Sequence, residues 1–135
     1  MLVSRVLEVG EAGPVAALQG FLAGLMQASG APCLLAPAVV QPGVVSPQVM
    51  AAGADLSRVN PLLPLMHANA GAMLRATMEQ ATGFPVVAVL RPCEVRAAVE
   101  LAKQGKLDLS KLILVGVDCL STYDPDYWRR GNELH

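Results

Sequence analysis

Three cysteines and a pair of arginines carry most of the chemistry this sequence can offer. Cys93 follows the apolar run Phe84–Leu90, and Cys119 follows a second run at 111–117 (KLILVGV). Both runs have the aliphatic, β-branched make-up of strands buried in a parallel sheet. Ligands of open parallel sheets bind beyond the carboxyl ends of the strands, so neighbouring strands would bring both sulfurs to one rim. Cys93 also stands at the start of a helix, where the dipole and free N–H groups favour thiolate over thiol. Thiolate is the form that ligates iron or attacks a substrate. Cys33 begins its own apolar run and is therefore expected at the opposite edge. The plainer alternative for any of the three is a free cysteine acting as a small core hydrophobe, and it fits Cys33 best.

Arg91 and Arg96 flank Cys93 and could steady a thiolate or hold an anionic cofactor, although a solvated surface charge is the commoner fate of such residues. His67 stands beside a loop–helix junction with no second histidine near it, which favours packing or capping over ligation. With His67 and His135 as the only histidines, no Ser–His–Asp arrangement can be built. No glycine pattern follows a strand as a dinucleotide or phosphate loop requires. No two cysteines form a CxxC pair, and an odd count without an export signal argues against a disulfide framework.

The elements that must position these residues can be read in order. Residues 2–9 alternate well enough for a strand or an extended arm. Gly13-Pro14 opens a helix carried by Leu18, Phe21, Leu22, Leu25 and Met26 and closed by Gly30. Cys33 to Val40 reads as a short buried strand, with Pro37 pointing to a sheet edge or an early end. Residues 41–64, broken by Pro42, Pro47, Pro61 and Pro64, read as an extended loop. Such a long loop is usually functional or covered by a partner. A helix is expected from about Asn69 to Ala81, then the strand at Phe84–Leu90, a tight turn at Arg91–Cys93, a helix over 94–104 and the strand at 111–117. Strand, helix and strand make a right-handed βαβ unit. Asp124-Pro125-Asp126 starts a last helix, with Tyr127 and Trp128 available to pack on further chain. The expected class is thus α/β: one domain over residues 1–135, a small mostly parallel sheet with flanking helices, in a Rossmann-like three-layer or open-sandwich arrangement.

Composition narrows the partners. A net charge of −1 with scattered Lys and Arg leaves no basic stripe for nucleic acid. Prolines interrupt the apolar stretches well short of the ~20 residues a membrane span needs. Arg5, Glu8 and Glu11 occupy the place of a signal peptide's apolar run, so a cytoplasmic location is expected. Hydrophobic residues nevertheless make up 53% of the chain, which points to a surface covered by another domain or subunit, with homo-oligomer contact through the apolar 41–66 region as one route.

Residues 85–123 (PVVAVLRPCEVRAAVELAKQGKLDLSKLILVGVDCLSTY) resemble the core of the beta-subunit family of coenzyme F-420-reducing hydrogenases and dehydrogenases. The wording Arg-Pro-Cys-Glu-Val-Arg is similar to that of the branch found with formate dehydrogenase and heterodisulfide reductase systems. APCLLAPAVV and NPLLPLMHANA resemble that branch more loosely. The resemblance implies an electron-transfer subunit with an iron–sulfur cluster, commonly a flavin such as FAD, and other redox subunits as partners. It implies Cys93 and Cys119 as cluster ligands; Arg91 and Arg96, the cofactor-binding candidates by their place beside Cys93, would then tune charge at the cluster. A [4Fe–4S] cluster usually takes four thiolates, and the family's ferredoxin-like CxxCxxC and flavin regions are absent. The chain is therefore expected to be part of a longer subunit, inactive when isolated. Two other expectations stand beside this one: a docking or assembly domain that has lost its redox centre, and a thiol-dependent enzyme with Cys93 as nucleophile and His67 as its only available base.

Overall fold

Val86–Leu90 is a strand in which all five residues are buried, and the sheet is built outward from it. The computed structural model describes residues 3–119 and 122–133. In chain order the elements are α1 (Pro14–Ser29), β1 (Cys33–Gln41), β2 (Val44–Ala51), α2 (Gly71–Gln80), β3 (Val86–Leu90), α3 (Pro92–Lys103), a 3₁₀ turn at Leu109–Lys111, β4 (Leu112–Gly116) and α4 (Pro125–Glu133). The four strands lie in the order β2-β1-β3-β4. β1, β3 and β4 run parallel, and β2 is antiparallel to β1. The class is α/β, as the sequence leads one to expect.

Side chains alternate across the sheet with period two, so each strand feeds two cores. Leu34, Ala36, Val87 and Val89 pack under Leu22 and Met26 of α1. Leu35, Ala88 and Leu90 face the other way, against Leu74 of α2 and Ala98 of α3. Helices therefore cover both faces, in three layers. Burying each large aliphatic side chain of this kind contributes roughly 1.5–3 kcal/mol. α1 owes its limits to Pro14 in its first turn and to Gly30 beyond its end, whose left-handed backbone (φ 68°) lets its N–H reach Met26 O at 3.1 Å.

Three expectations need correction. The segment 41–64 is not a continuous loop, because Val44–Ala51 forms β2 and pairs with β1 through a two-residue turn at Pro42-Gly43. Gly43 supplies the positive φ (74°) that such a turn needs. Pro37 does not mark an edge. It lies within β1 directly opposite Pro47 of β2, and neither residue has an N–H to donate to the other. Past Leu35, β1 parts from β3, and residues 58–60 take β3's place beside it: Arg58 O accepts from Val39 N–H at 2.8 Å, and Pro37 O accepts from Asn60 N–H at 3.0 Å. Lastly, β4 is an edge strand rather than a fully buried one, with Leu114 46% exposed.

The N-terminal residues 3–10 form neither strand nor helix and are exposed. α2 begins at Gly71, where it comes closest to α3: a methyl group placed there would lie 2.7 Å from Ala97 Cβ. The turn expected at Arg91–Cys93 is already helix, with Arg91 as the N-cap of α3, Pro92 its first residue and Cys93 its second.

Candidate functional site

Leu90 and Gly116 are paired neighbours on β3 and β4. Cys93 and Cys119 each lie three positions beyond their member of that pair, and both are half-buried. Equal offsets from one rung of a parallel ladder put both cysteines at the carboxyl end of the sheet. Val117 N–H, which donates to Leu90 O at 2.9 Å, continues the pairing toward them. Cys33 starts β1 opposite Val86, the first residue of β3, and so belongs to the amino end, as expected. Burial pushes its thiol above the ordinary thiol range, which keeps it protonated at neutral pH.

Arg91 overturns the plainer expectation for it. It is only 4% exposed, so it is no solvated surface charge. One terminal nitrogen, Nη2, donates to Leu63 O at 2.6 Å, and the other, Nη1, is buried without a hydrogen-bond partner. Among the described residues the ion pairs are Arg75 with Glu79 and Arg129 with Asp126, neither of which involves this guanidinium. Arg96, further along α3, is exposed.

Glu94 is the residue whose part in the site was not foreseen. It is 3% exposed, and its carboxylate accepts from Arg91 N–H at 3.0 Å and from Ala70 N–H. The first bond is half of a capping box. Arginine has no side-chain acceptor to return the other half, so the Arg91 carbonyl takes the Glu94 N–H instead, at 3.0 Å. The second bond ties the start of α2 to the start of α3. The signal was present in the sequence: glutamate three places after a residue that precedes proline is the spacing of a helix N-terminus.

The segment Pro61–Pro64 is tied to the rim. Arg91 holds it through Leu63 O, and Tyr123 N–H holds it through Pro64 O at 2.8 Å. Between this segment and the strand ends lies a cleft of about 410 Å³ bordered by Leu62, Arg91, Asp118, Cys119 and Tyr123. Tyr123 stacks on Tyr127 with centroids 6.2 Å apart, and Trp128 packs on it at 5.6 Å. The aromatic residues near the end of the chain thus form a cluster beside the cleft. The helix that carries two of them is started by Asp124, whose Oδ1 accepts from Asp126 N–H and Tyr127 N–H.

His67 has the structural role expected of it. Its backbone N–H donates to Val45 O at 3.3 Å, and Nδ1 lies 3.0 Å from Val45 O and 3.2 Å from Val45 N, so either tautomer of the ring adds a second bond to β2.

A [4Fe–4S] cluster takes four thiolates. The carboxyl end offers Cys93 and Cys119, and among the described residues no three His, Cys, Asp or Glu side chains are grouped to hold a metal ion. A full cluster ligand set is thus not supplied by these residues alone. Also among them, no helix is long and apolar enough to cross a membrane. No protein-family model matches the sequence, and no curated protein is found to be related to it.

Proposed function

We propose that this chain is a domain of a cytoplasmic oxidoreductase assembly, an electron-transfer subunit of the iron–sulfur, flavin-linked type, whose carboxyl rim contributes Cys93 and Cys119 to a ligand set completed by another segment or subunit. The observation that carries this reading is the matched position of the two cysteines, each three residues past the paired Leu90 and Gly116. Arg91, buried and bordering the same cleft as Cys119, would supply positive charge on that side of the rim. No complete cluster fits the described residues, so the isolated domain is not expected to transfer electrons by itself.

The test is anaerobic reconstitution with iron, sulfide and excess small thiol, which can occupy iron positions that the protein leaves open. Iron content and visible charge-transfer absorbance are read after desalting. Retained iron that disappears in both Cys93→Ser and Cys119→Ser is the expected result. A folded wild-type chain that retains no iron would refute the ligand role.

A second reading, a docking domain without a redox centre, is favoured by β4. Its unpaired edge and half-exposed Leu114 leave the sheet open to a partner on that side. In that case Cys93→Ser leaves binding to the partner subunit unchanged.

A further inference from the structure

An open sheet edge and an exposed apolar arm occur together in this chain. Val117 N–H donates to Leu90 O of β3. Backbone groups alternate sides along a strand, so those of Leu112, Leu114 and Gly116 point away from β3, where the sheet ends. The arm is residues 3–9. Val3, Val6, Leu7 and Val9 are 44–91% exposed and belong to no helix or strand. Val3, Leu7 and Val9 fall on one face of an extended chain, the pattern of a half-buried strand. Laying such an arm on such an edge pairs the free backbone groups and buries apolar surface in one step.

We infer that residues 3–9 of one copy of this chain add to β4 of a second copy as an antiparallel strand, the exchange being made both ways about a twofold axis. Charge sets the direction. Lys111 precedes β4 and Asp118 follows it, whereas the arm has Arg5 first and Glu8 and Glu11 last. All five are exposed, and the salt bridges among the described residues involve none of them. Antiparallel pairing sets opposite charges together at both ends, and parallel pairing sets like charges together. With Leu7 opposite Val115 and Val9 opposite Ile113, Glu11 meets Lys111 and Arg5 comes to the end that carries Asp118. The apolar face of the arm then continues that of Ile113 and Val115, which pack on the α1 side of the sheet.

A chain's own arm cannot take this direction. Val15, in the first turn of α1, lines one hollow with Val39 and Val40 at the carboxyl end of β1. The five residues from Val9 to Pro14 span at most about 18 Å. That is too short to run back along β4 and then across β3 to the start of α1. An arm on its own β4 would therefore lie parallel to it, against the charges. The assignment rests on the free β4 edge of the docking reading and is independent of the cysteines.

The experiment is sedimentation velocity of the full chain over a range of micromolar concentrations, where a reversible monomer–dimer equilibrium is expected. Leu7→Asp, at an exposed position outside the core, should weaken the dimer by about tenfold and leave the far-UV circular dichroism unchanged. Lys111→Glu should weaken it by about threefold, and Glu11→Lys in the same chain should restore it. Carbodiimide coupling of an equal mixture of isotope-labelled and unlabelled chains should give Glu11–Lys111 peptides that join the two kinds of chain. A chain that stays monomeric, a dimer that Leu7→Asp leaves intact, or arm–β4 links confined to one kind of chain would overturn the inference. None of these results would sink the docking reading, which binding of the partner subunit tests separately.

Discussion

The two ends of the parallel sheet are made from similar side chains and put them to different use. At the amino end, Cys33 is paired into the ladder opposite Val86, its thiol held protonated by burial. The approach to β4 at that end is a single exposed turn, with Asp108 capping Ser110. At the carboxyl end, Cys93 and Cys119 leave the ladder together, and Arg91 and Glu94 form a buried polar network that reaches Leu63 and Ala70. Strand direction accounts for much of this contrast. Chain leaving a parallel strand has to turn back over the sheet, so loop residues and helix N-termini converge at that end and surround whatever lies there. The lesson is that a cysteine's place relative to strand direction decides which surroundings it meets.

Glu94→Ala should have the largest effect on that contrast. It leaves two buried backbone donors unpaired and removes the tie between α2 and α3, so a loss of about 3 kcal/mol is expected. In thermal unfolding this is a drop in Tm of about 10 °C. A change no larger than that of an exposed substitution would mean that the carboxyl-end network is ornamental.

Gly71→Ala should come next, since the added methyl lands 2.7 Å from Ala97 Cβ at the same end of the sheet. A cost of about 1–3 kcal/mol is expected from overpacking, measured by denaturant titration.

The thiols can be compared directly by timed alkylation and peptide mass spectrometry. Cys33 should react about tenfold more slowly than Cys93 near neutral pH, because burial keeps it in the thiol form. Its lag should shrink as the pH rises past the ordinary thiol range. Equal rates at all three positions would erase the distinction between the two ends.

The smallest effect belongs to the amino end. Hydrogen bonds from the Ser110 hydroxyl and backbone N–H hold the Asp108 carboxyl below its ordinary range. A carboxyl with a depressed folded pKa stabilises the fold above its unfolded pKa, and that contribution is lost as the pH falls through the folded value. Asp108 is fully exposed, so Asp108→Asn should barely move Tm at neutral pH and should slightly flatten the decline below the usual carboxylate range.

What could be read from the sequence and what could not divides along the same physical line. The strand at 86–90, α3 behind it, α1 with its Pro14 and Gly30 limits and the start of α4 at Asp124 were all legible, because each is written in adjacent residues. β2 was not legible. Pro47, Gln48 and Ser46 break any alternating pattern, and the strand exists because the Pro42-Gly43 turn lays it against β1. The exposure of β4 was hidden for a similar reason: its residues read as a buried strand, while its position at the edge is a property of strand order. At the rim, the offsets of Cys93 and Cys119 from their strands were visible. The burial of Arg91 was not, since it depends on a carbonyl 28 residues away.

The central claim is that Cys93 and Cys119 share one rim and Cys33 does not. A monosubstituted trivalent arsenical tests it most directly, because it closes a ring on two thiols only where they can approach each other. Native mass spectrometry of the reduced chain should find one arsenical per chain in the wild type and in Cys33→Ser, and none in Cys93→Ser or Cys119→Ser. Absence of any adduct in the wild type, or an adduct that depends on Cys33, would contradict the account.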